Sequence, residues 1–270
     1  MMNGRWVVLI AAAGLLLAGC GSSEQTKNPT VGERFSHAKE LYDRGDYLDA
    51  INEFTVITLQ YQGSQQAADA QFYLGECHYQ RGEYIQAAFE YSVVKRAYPA
   101  SPRVPEAQYK LAMSYYMRSP SPELDQQYTR KAIDEFQSFV EYYPTDSLAA
   151  DASARIRELN TKLAKKLYDA ARQYIILERY KAALAYFSDV IEQYHDTDIA
   201  PLAFLDRVEL LIDRKRYDEA QSELQKFLQR YPNSVLRSRA DKLKERLDAA
   251  IKNMQSAAAD TSAAAGSREN

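Results

Sequence analysis

Small and aromatic residues recur along this chain in steps of three and four. Ala50, Ala87, Ala132, Ala183 and Ala220 are each followed four residues later by a large apolar side chain: Phe54, Tyr91, Phe136, Phe187 and Leu224. Four of them are preceded three residues earlier by Tyr47, Tyr84, Tyr180 and Tyr217. Steps of three and four place these positions on one face of an α-helix. Pro99, Pro144 and Pro232, each twelve residues after its alanine, mark where such a helix must have ended. A second apolar pattern precedes the first, as Ala38-x2-Leu41-Tyr42-x2-Gly45-x-Tyr47 and, 37 residues on, Gly75-x3-Tyr79-x2-Gly82-x-Tyr84. The repeating unit is therefore two helices joined by a glycine turn, and the predicted class is all-α.

This rhythm is the tetratricopeptide (TPR) pattern, and it predicts an α-α superhelix of about five repeats over 33–62, 68–99, 104–144, 148–195 and 201–232. Small residues such as Gly75 and Ala87 let paired helices approach, aromatics fill the gap, and each hairpin leaves an apolar face for the next to cover. Alanine spacings of 37, 45, 51 and 37 locate two insertions. Repeat 3 gains a loop at 118–127. Repeat 4 gains length before Ala171, and because Leu148 to Leu177 contains no Gly or Pro, it predicts one unusually long helix, a spine between two halves. The halves are 33–144 and 145–254, the second closed by a charged amphipathic helix that Ser234 can N-cap. The Ala- and Ser-rich segment 255–270 is expected to be disordered.

Composition narrows the function classes. The 270 residues include only 10 Gly, with none between Gly82 and Gly266, so neither common glycine-rich phosphate loop is present. With a net charge of -3 and no long Lys/Arg block, nucleic acid is not an expected partner. At the N-terminus, the apolar run Trp6–Ala18 follows Arg5 and is too short to span a bilayer, which is the character of a signal peptide over 1–19. Leu17-Ala18-Gly19-Cys20 resembles the bacterial lipobox. That resemblance implies cleavage before Cys20, lipid attachment to it, and a membrane anchor of three acyl chains at about 0.8 kcal/mol per buried CH₂. Gly21, where an Asp would favour retention, implies sorting to the outer membrane. Residues 20–32 read as a polar tether, and with Cys20 lipidated Cys77 has no disulfide partner.

No catalytic residue, cofactor or metal site is expected. His37, His78 and His195 fall at helix-core or helix-end repeat positions, and Cys77 and His78 point about 100 degrees apart on a helix, poor geometry for chelation. The informative feature is an aromatic ladder at the two first-helix positions that face the concave wall in TPR hairpins. Phe35, Phe72 and Tyr109 form one row and Tyr42, Tyr79 and Tyr116 the other, with Lys39, Glu76 and Met113 between them. All nine are candidates for gripping an extended, aromatic-rich peptide. The alternative is that the aromatics pack neighbouring first helices together.

The full layout of lipobox, tether, five repeats and a last helix resembles the BamD family, the TPR lipoproteins of the outer-membrane β-barrel assembly (BAM) machine. Its more specific elements are Cys20 after Leu-Ala-Gly, Gly45-Asp46-Tyr47 with Ala50-Ile51-x2-Phe54, Phe139-Val-Glu-Tyr-Tyr-Pro144, and Leu163-Ala164-x2-Leu167-Tyr168. The resemblance implies a non-enzymatic scaffold at the periplasmic face of the outer membrane. Its C-terminal half would dock onto the POTRA domains of BamA, beside other BAM lipoproteins, and its N-terminal groove would meet targeting signals of unfolded outer-membrane proteins. Ala185-Tyr186-Phe187 departs from the basic residues expected in the second helix of repeat 4, so no single BamA-contact residue is implied. The rival reading is a periplasmic TPR adaptor serving the Tol-Pal system or peptidoglycan synthesis.

Overall fold

A computed structural model describes residues 28–266, with side chains to 256. The expected signal peptide, the lipidation residue Cys20 and most of the tether lie outside these residues. The described chain is eleven α-helices with no strand: α1 Val31–Arg44, α2 Tyr47–Gln60, α3 Ala67–Gln80, α4 Tyr84–Ala97, α5 Val104–Met117, α6 Gln127–Tyr142, α7 Ala149–Ile176, α8 Tyr180–Gln193, α9 Ile199–Asp213, α10 Tyr217–Arg230 and α11 Arg237–Gly266. The first ten pair as five antiparallel hairpins stacked in order, and α11 closes the stack.

Local chemistry sets the helix ends. Thr30 and Glu33 form a capping box at the start of α1: the Glu33 amide donates to Thr30 Oγ1 at 3.2 Å, and the Thr30 amide donates to Glu33 Oε2 at 2.8 Å. Within hairpins 1, 2, 4 and 5 the chain reverses through one left-handed residue, namely Gly45, Gly82, Glu178 or Lys215. In each case the next amide donates back five residues, as Asp46 to Leu41, Glu83 to His78, Arg179 to Tyr174 and Arg216 to Leu211, at 2.8–2.9 Å. After each of the five hairpins a different turn is used, beginning at Tyr61, Tyr98, Tyr143, Tyr194 or Tyr231. Each of these tyrosine amides donates to the carbonyl four residues back.

Packing follows the small-aromatic rule. Ala38, Ala112 and Ala171 are fully buried beside equally buried Phe54, Phe136 and Phe187, and Gly75 lies against the Tyr91 ring, Cε1 of which is 2.7 Å from where a Cβ would stand. Repeat 3 lacks the glycine turn because residues 118–126 form its loop. This loop is pinned from inside by Gln126 Nε2, which donates to Ser121 O and Leu124 O, and from α7 by Lys162 and Lys166. Helix α7 runs 28 residues unbroken, and the core divides along it. Leu159 and Leu163 belong to the cluster with Phe136 and Phe139, whereas Ala164 and Ala171 belong to the cluster with Phe187, Phe204 and Phe227.

Two terminal expectations are corrected. Helix α11 begins at Arg237, and Ser234 instead holds the preceding turn, its Oγ accepting from the Leu236 amide at 3.1 Å. The segment expected to be disordered is helical to Gly266, since 255–265 is alanine-rich and contains no Gly or Pro. Residues 267–270 lie outside the described residues.

Candidate functional site

The first helices α1, α3 and α5 carry the candidate groove, and the ladder is built into the joints between them. Tyr42 on α1 donates through its hydroxyl to Glu76 on α3 at 3.4 Å. Tyr109 and Tyr116 on α5 donate to Asp151 and Glu158 on α7 at 2.5 and 2.7 Å. Phe35 meets Phe54 and Tyr73 edge-on, and Tyr79 meets Tyr84 edge-on with the Lys110 ammonium 5.2 Å from its ring centre. Phe35, Lys39, Tyr42, Tyr79, Tyr109, Met113 and Tyr116 are half-buried and keep one side open to the wall.

Two of the nine candidates do not line the groove. Phe72 is 2% exposed, packed against Tyr91 and covered by the Arg103 guanidinium at 4.9 Å. Glu76 is 6% exposed and fully engaged: Tyr91 donates to Oε1 at 2.5 Å, and Lys110 lies 2.9 Å from Oε1 and 3.1 Å from Oε2. The cause is the missing side chain at Gly75, which lets Tyr91 cross beneath the helix and reach the carboxylate.

Electrostatics bear out this internal use. Burial, and next the Asp151 carboxylate, raise the Tyr109 hydroxyl above its ordinary value, and that hydroxyl's hydrogen bond lowers Asp151, helped by Arg155. Cations sit over aromatic faces along the wall: Lys39 over Tyr42 and Tyr73, Lys110 over Tyr79, and Arg155 over Tyr116. Sequence reasoning missed Tyr73, which touches Phe35, Tyr42, Phe54 and Phe72. The signal available was the doublet Phe72-Tyr73, which serves two neighbouring faces at once.

The wall of the second half is furnished differently. Tyr168 on α7 donates to Asp206 on α9 at 2.6 Å, burial and then Asp206 pushing its hydroxyl up to about 12. From α11, Arg239 reaches Asp206 and Glu209 at 2.6 and 2.7 Å, and Arg246 pairs with Asp213. These pairs rim a depression of about 450 Å³ floored by Tyr168, Ile175 and Leu210. Among the described residues no cluster of His, Cys, Asp and Glu could hold a metal ion, and no helix is long and apolar enough to cross a membrane. Cys77 is buried, and burial, then Glu76, push its thiol up to about 12.

Residues 28–209, from before α1 into α9, match the YfiO family, described as an outer membrane lipoprotein. The chain belongs to this family. Residues 202–234 match a tetratricopeptide repeat. The chain is 27% identical over 228 residues to outer membrane protein assembly factor BamD of Caulobacter vibrioides, covering 82% of this chain and 75% of the relative. It is also 27% identical over 232 residues to the factor of that name from Rickettsia prowazekii, covering 85% and 92%. Among solved structures, the TPR domain of P58(IPK) aligns over 84% of this chain and 66% of that one, with a TM-score of 0.42 and 17% identity. The YfiO match contains every groove candidate, α7 and the core cluster of Phe136 and Phe139, and it takes in only the first part of the cluster of Phe187, which runs on to Leu247; Cys20 lies before it.

Proposed function

We propose that this chain is a non-catalytic assembly factor for outer-membrane proteins, anchored by lipid on Cys20 at the periplasmic face. The half-open aromatics Phe35, Tyr42, Tyr79, Tyr109 and Tyr116, with Lys39 and Met113, receive extended targeting segments of unfolded outer-membrane proteins. The second half, through α11, docks on the POTRA domains of BamA, beside other BAM lipoproteins. The observation that carries this reading is the core divided at Leu163/Ala164 inside one unbroken helix, which places two differently furnished walls on a common spine. Membership of an outer membrane lipoprotein family, with relatives named assembly factors, supports it. Binding energy is the mechanism: the spine fixes the distance between a substrate wall and a machine wall, and no bond is made or broken.

The test is to solubilise outer membranes in mild detergent, pull the tagged chain down, and identify what co-purifies. Stoichiometric recovery of a β-barrel protein with POTRA domains is expected; recovery of Tol-Pal or peptidoglycan-synthesis proteins in its place would overturn the assembly role. For the groove, replacing Tyr79 and Tyr116 by Ala is expected to abolish crosslinking of an aromatic-rich peptide while preserving BamA recovery.

A further inference from the structure

The alternation of α1 to α6 gives the first half two edges. The start of α1 and the turns 61–66, 98–103 and 143–148 share one; the turns within hairpins share the other. Their chemistry differs. The three inter-repeat turns contain two charged side chains, Arg103 and Asp146, and Arg103 is turned inward over Phe72 and paired with Asp69. What they present instead is tyrosine and proline: half-buried Tyr61, Tyr98 and Tyr143 at the helix ends, with Tyr142 72% exposed and Leu59 68% exposed beside them. Beside these turns and the start of α1, Glu33, Arg96 and Glu141 are also exposed, whereas the opposite edge is more heavily charged, with Arg44 and Asp46, Arg81 and Glu83, and Arg118, Glu123 and Asp125 in or beside its turns. Its exposed apolar residues Leu48, Ile85 and Leu124 stand among those charges.

We infer that the inter-repeat edge of repeats 1–3 rests on the headgroup layer of the membrane, so that these helices stand upright on the lipid surface. Tyrosine, with an apolar ring and a polar tip, is enriched at membrane-water interfaces, and the edge with fewer charges enters the headgroup layer at the lower desolvation cost. The tether leaves from the same edge. Thr30 lies ten Cα steps from Cys20, a reach of at most about 35 Å. With this edge down the tether needs no extension, whereas presenting the opposite edge would require it to run back along α1, about 21 Å. The seat also explains the length of α7. Because α8 pairs with only the C-terminal half of α7, the turn at 194–198 lies about 21 Å above the plane of the first three turns, and Tyr194 accordingly packs against both core clusters. The second half is thus lifted clear of the lipid, its wall open to a protein partner, while the first-half groove opens sideways along the membrane.

The inference rests on the lipid anchor, and the test separates the two. Cys77 is buried and inert, so a cysteine introduced into the mature lipidated chain is the one reactive thiol. Probes at Gln62→Cys, Ala100→Cys and Thr145→Cys report the inter-repeat edge, and Asp49→Cys and Gln86→Cys the other. On phosphatidylethanolamine and phosphatidylglycerol vesicles carrying a headgroup nitroxide lipid, severalfold stronger quenching is expected at 62, 100 and 145 than at 49 and 86. Tyr142→Asp, at a site outside the core, is expected to bring quenching at 145 down to the level at 86. Protein that fails to float with the vesicles overturns the anchor and the edge together. Protein that floats with equal quenching at both edges, or with quenching at 145 indifferent to Tyr142→Asp, overturns the edge alone.

Discussion

The two halves close the same helical stack with different side chains on the concave wall. In the first half, tyrosine hydroxyls donate to carboxylates on the next first helix, and cations lie over the rings. In the second, one such bond, Tyr168 to Asp206, is followed by ion pairs from α11. Behind both walls the core is the same device, a small residue under a large apolar ring. Half-exposed hydroxyl-carboxylate bonds and ion pairs contribute about 1 kcal/mol or less each, against several for a buried aromatic. Stability therefore dictates the core and leaves the walls free to be chosen for what they bind.

The sharpest way to break the comparison is to break the helix that joins its two sides. Lys165 is exposed on α7, one residue past the point where the core divides. Lys165→Pro removes a helical hydrogen bond and clashes with the preceding turn, at a cost of about 3 kcal/mol or more. Because a repeat stack is stabilised between nearest neighbours, urea unfolding followed by circular dichroism should resolve into two transitions. A single transition at the original midpoint would show that α7 does not couple the halves.

A smaller effect is expected at Gly75, where the halves differ in packing. The equivalent residue is Ala171 in repeat 4, opposite Phe187, whereas Gly75 faces a tyrosine tied to Glu76. A methyl group at 75 would press on a ring that cannot retreat, so Gly75→Ala should cost about 1–3 kcal/mol in chemical denaturation. In a Tyr91→Phe background, which restores the alanine–phenylalanine pairing found in repeats 1, 3 and 4, Gly75→Ala should cost less, and equal costs in the two backgrounds would count against this account.

That pair also shows what could be read from the sequence. The sixteen-residue step from Gly75 to Tyr91, repeated from Ala38 to Phe54 and from Ala171 to Phe187, is periodicity, and periodicity fixes which face of a helix turns inward. The long α7 was equally legible, because nothing between Leu148 and Leu177 can stop a helix. Depth was not legible. Phe35 and Phe72 share a register, yet Phe72 is closed over by Arg103 from the following repeat while Phe35, on the first helix of the stack, stays half open. Glu76 reads as a groove residue by spacing and is buried because Tyr91 reaches it. Burial here depends on side chains from other helices, Tyr91, Arg103 and Lys110, whose reach a 37-residue period does not encode.

The hydroxyl-carboxylate joints themselves should be measurable through pH. Tyr109→Phe removes the donor that lowers Asp151 and should let its pKa rise, a change that NMR titration would follow. Since the folded-state value is depressed, the stability from this bond is present above the unfolded value of about 3.9 and is lost as pH falls through the folded one. The wild type should therefore exceed Tyr109→Phe by up to about 1 kcal/mol at neutral pH, discounted because Asp151 is partly exposed, and the gap should close in acid.

The smallest effect returns to the turns inside the hairpins. All four use a left-handed residue, but the first half has Gly45 and Gly82 there and the second has Glu178 at φ 56° and Lys215 at φ 61°. A side chain in that region brings Cβ against the following carbonyl at about 1–2 kcal/mol, partly offset by the greater freedom a glycine loses on folding. Glu178→Gly and Lys215→Gly should each raise stability by about 0.5 kcal/mol in urea denaturation, while Gly45→Ala and Gly82→Ala should lower it by a similar amount. Both glutamate and lysine are exposed at these turns, so a gain would come from the backbone alone. Loss of stability on either change to glycine would mean that the Glu178 or Lys215 side chain contributes more than its strained backbone costs, and would mark that turn of the second half as the place to look for a contact.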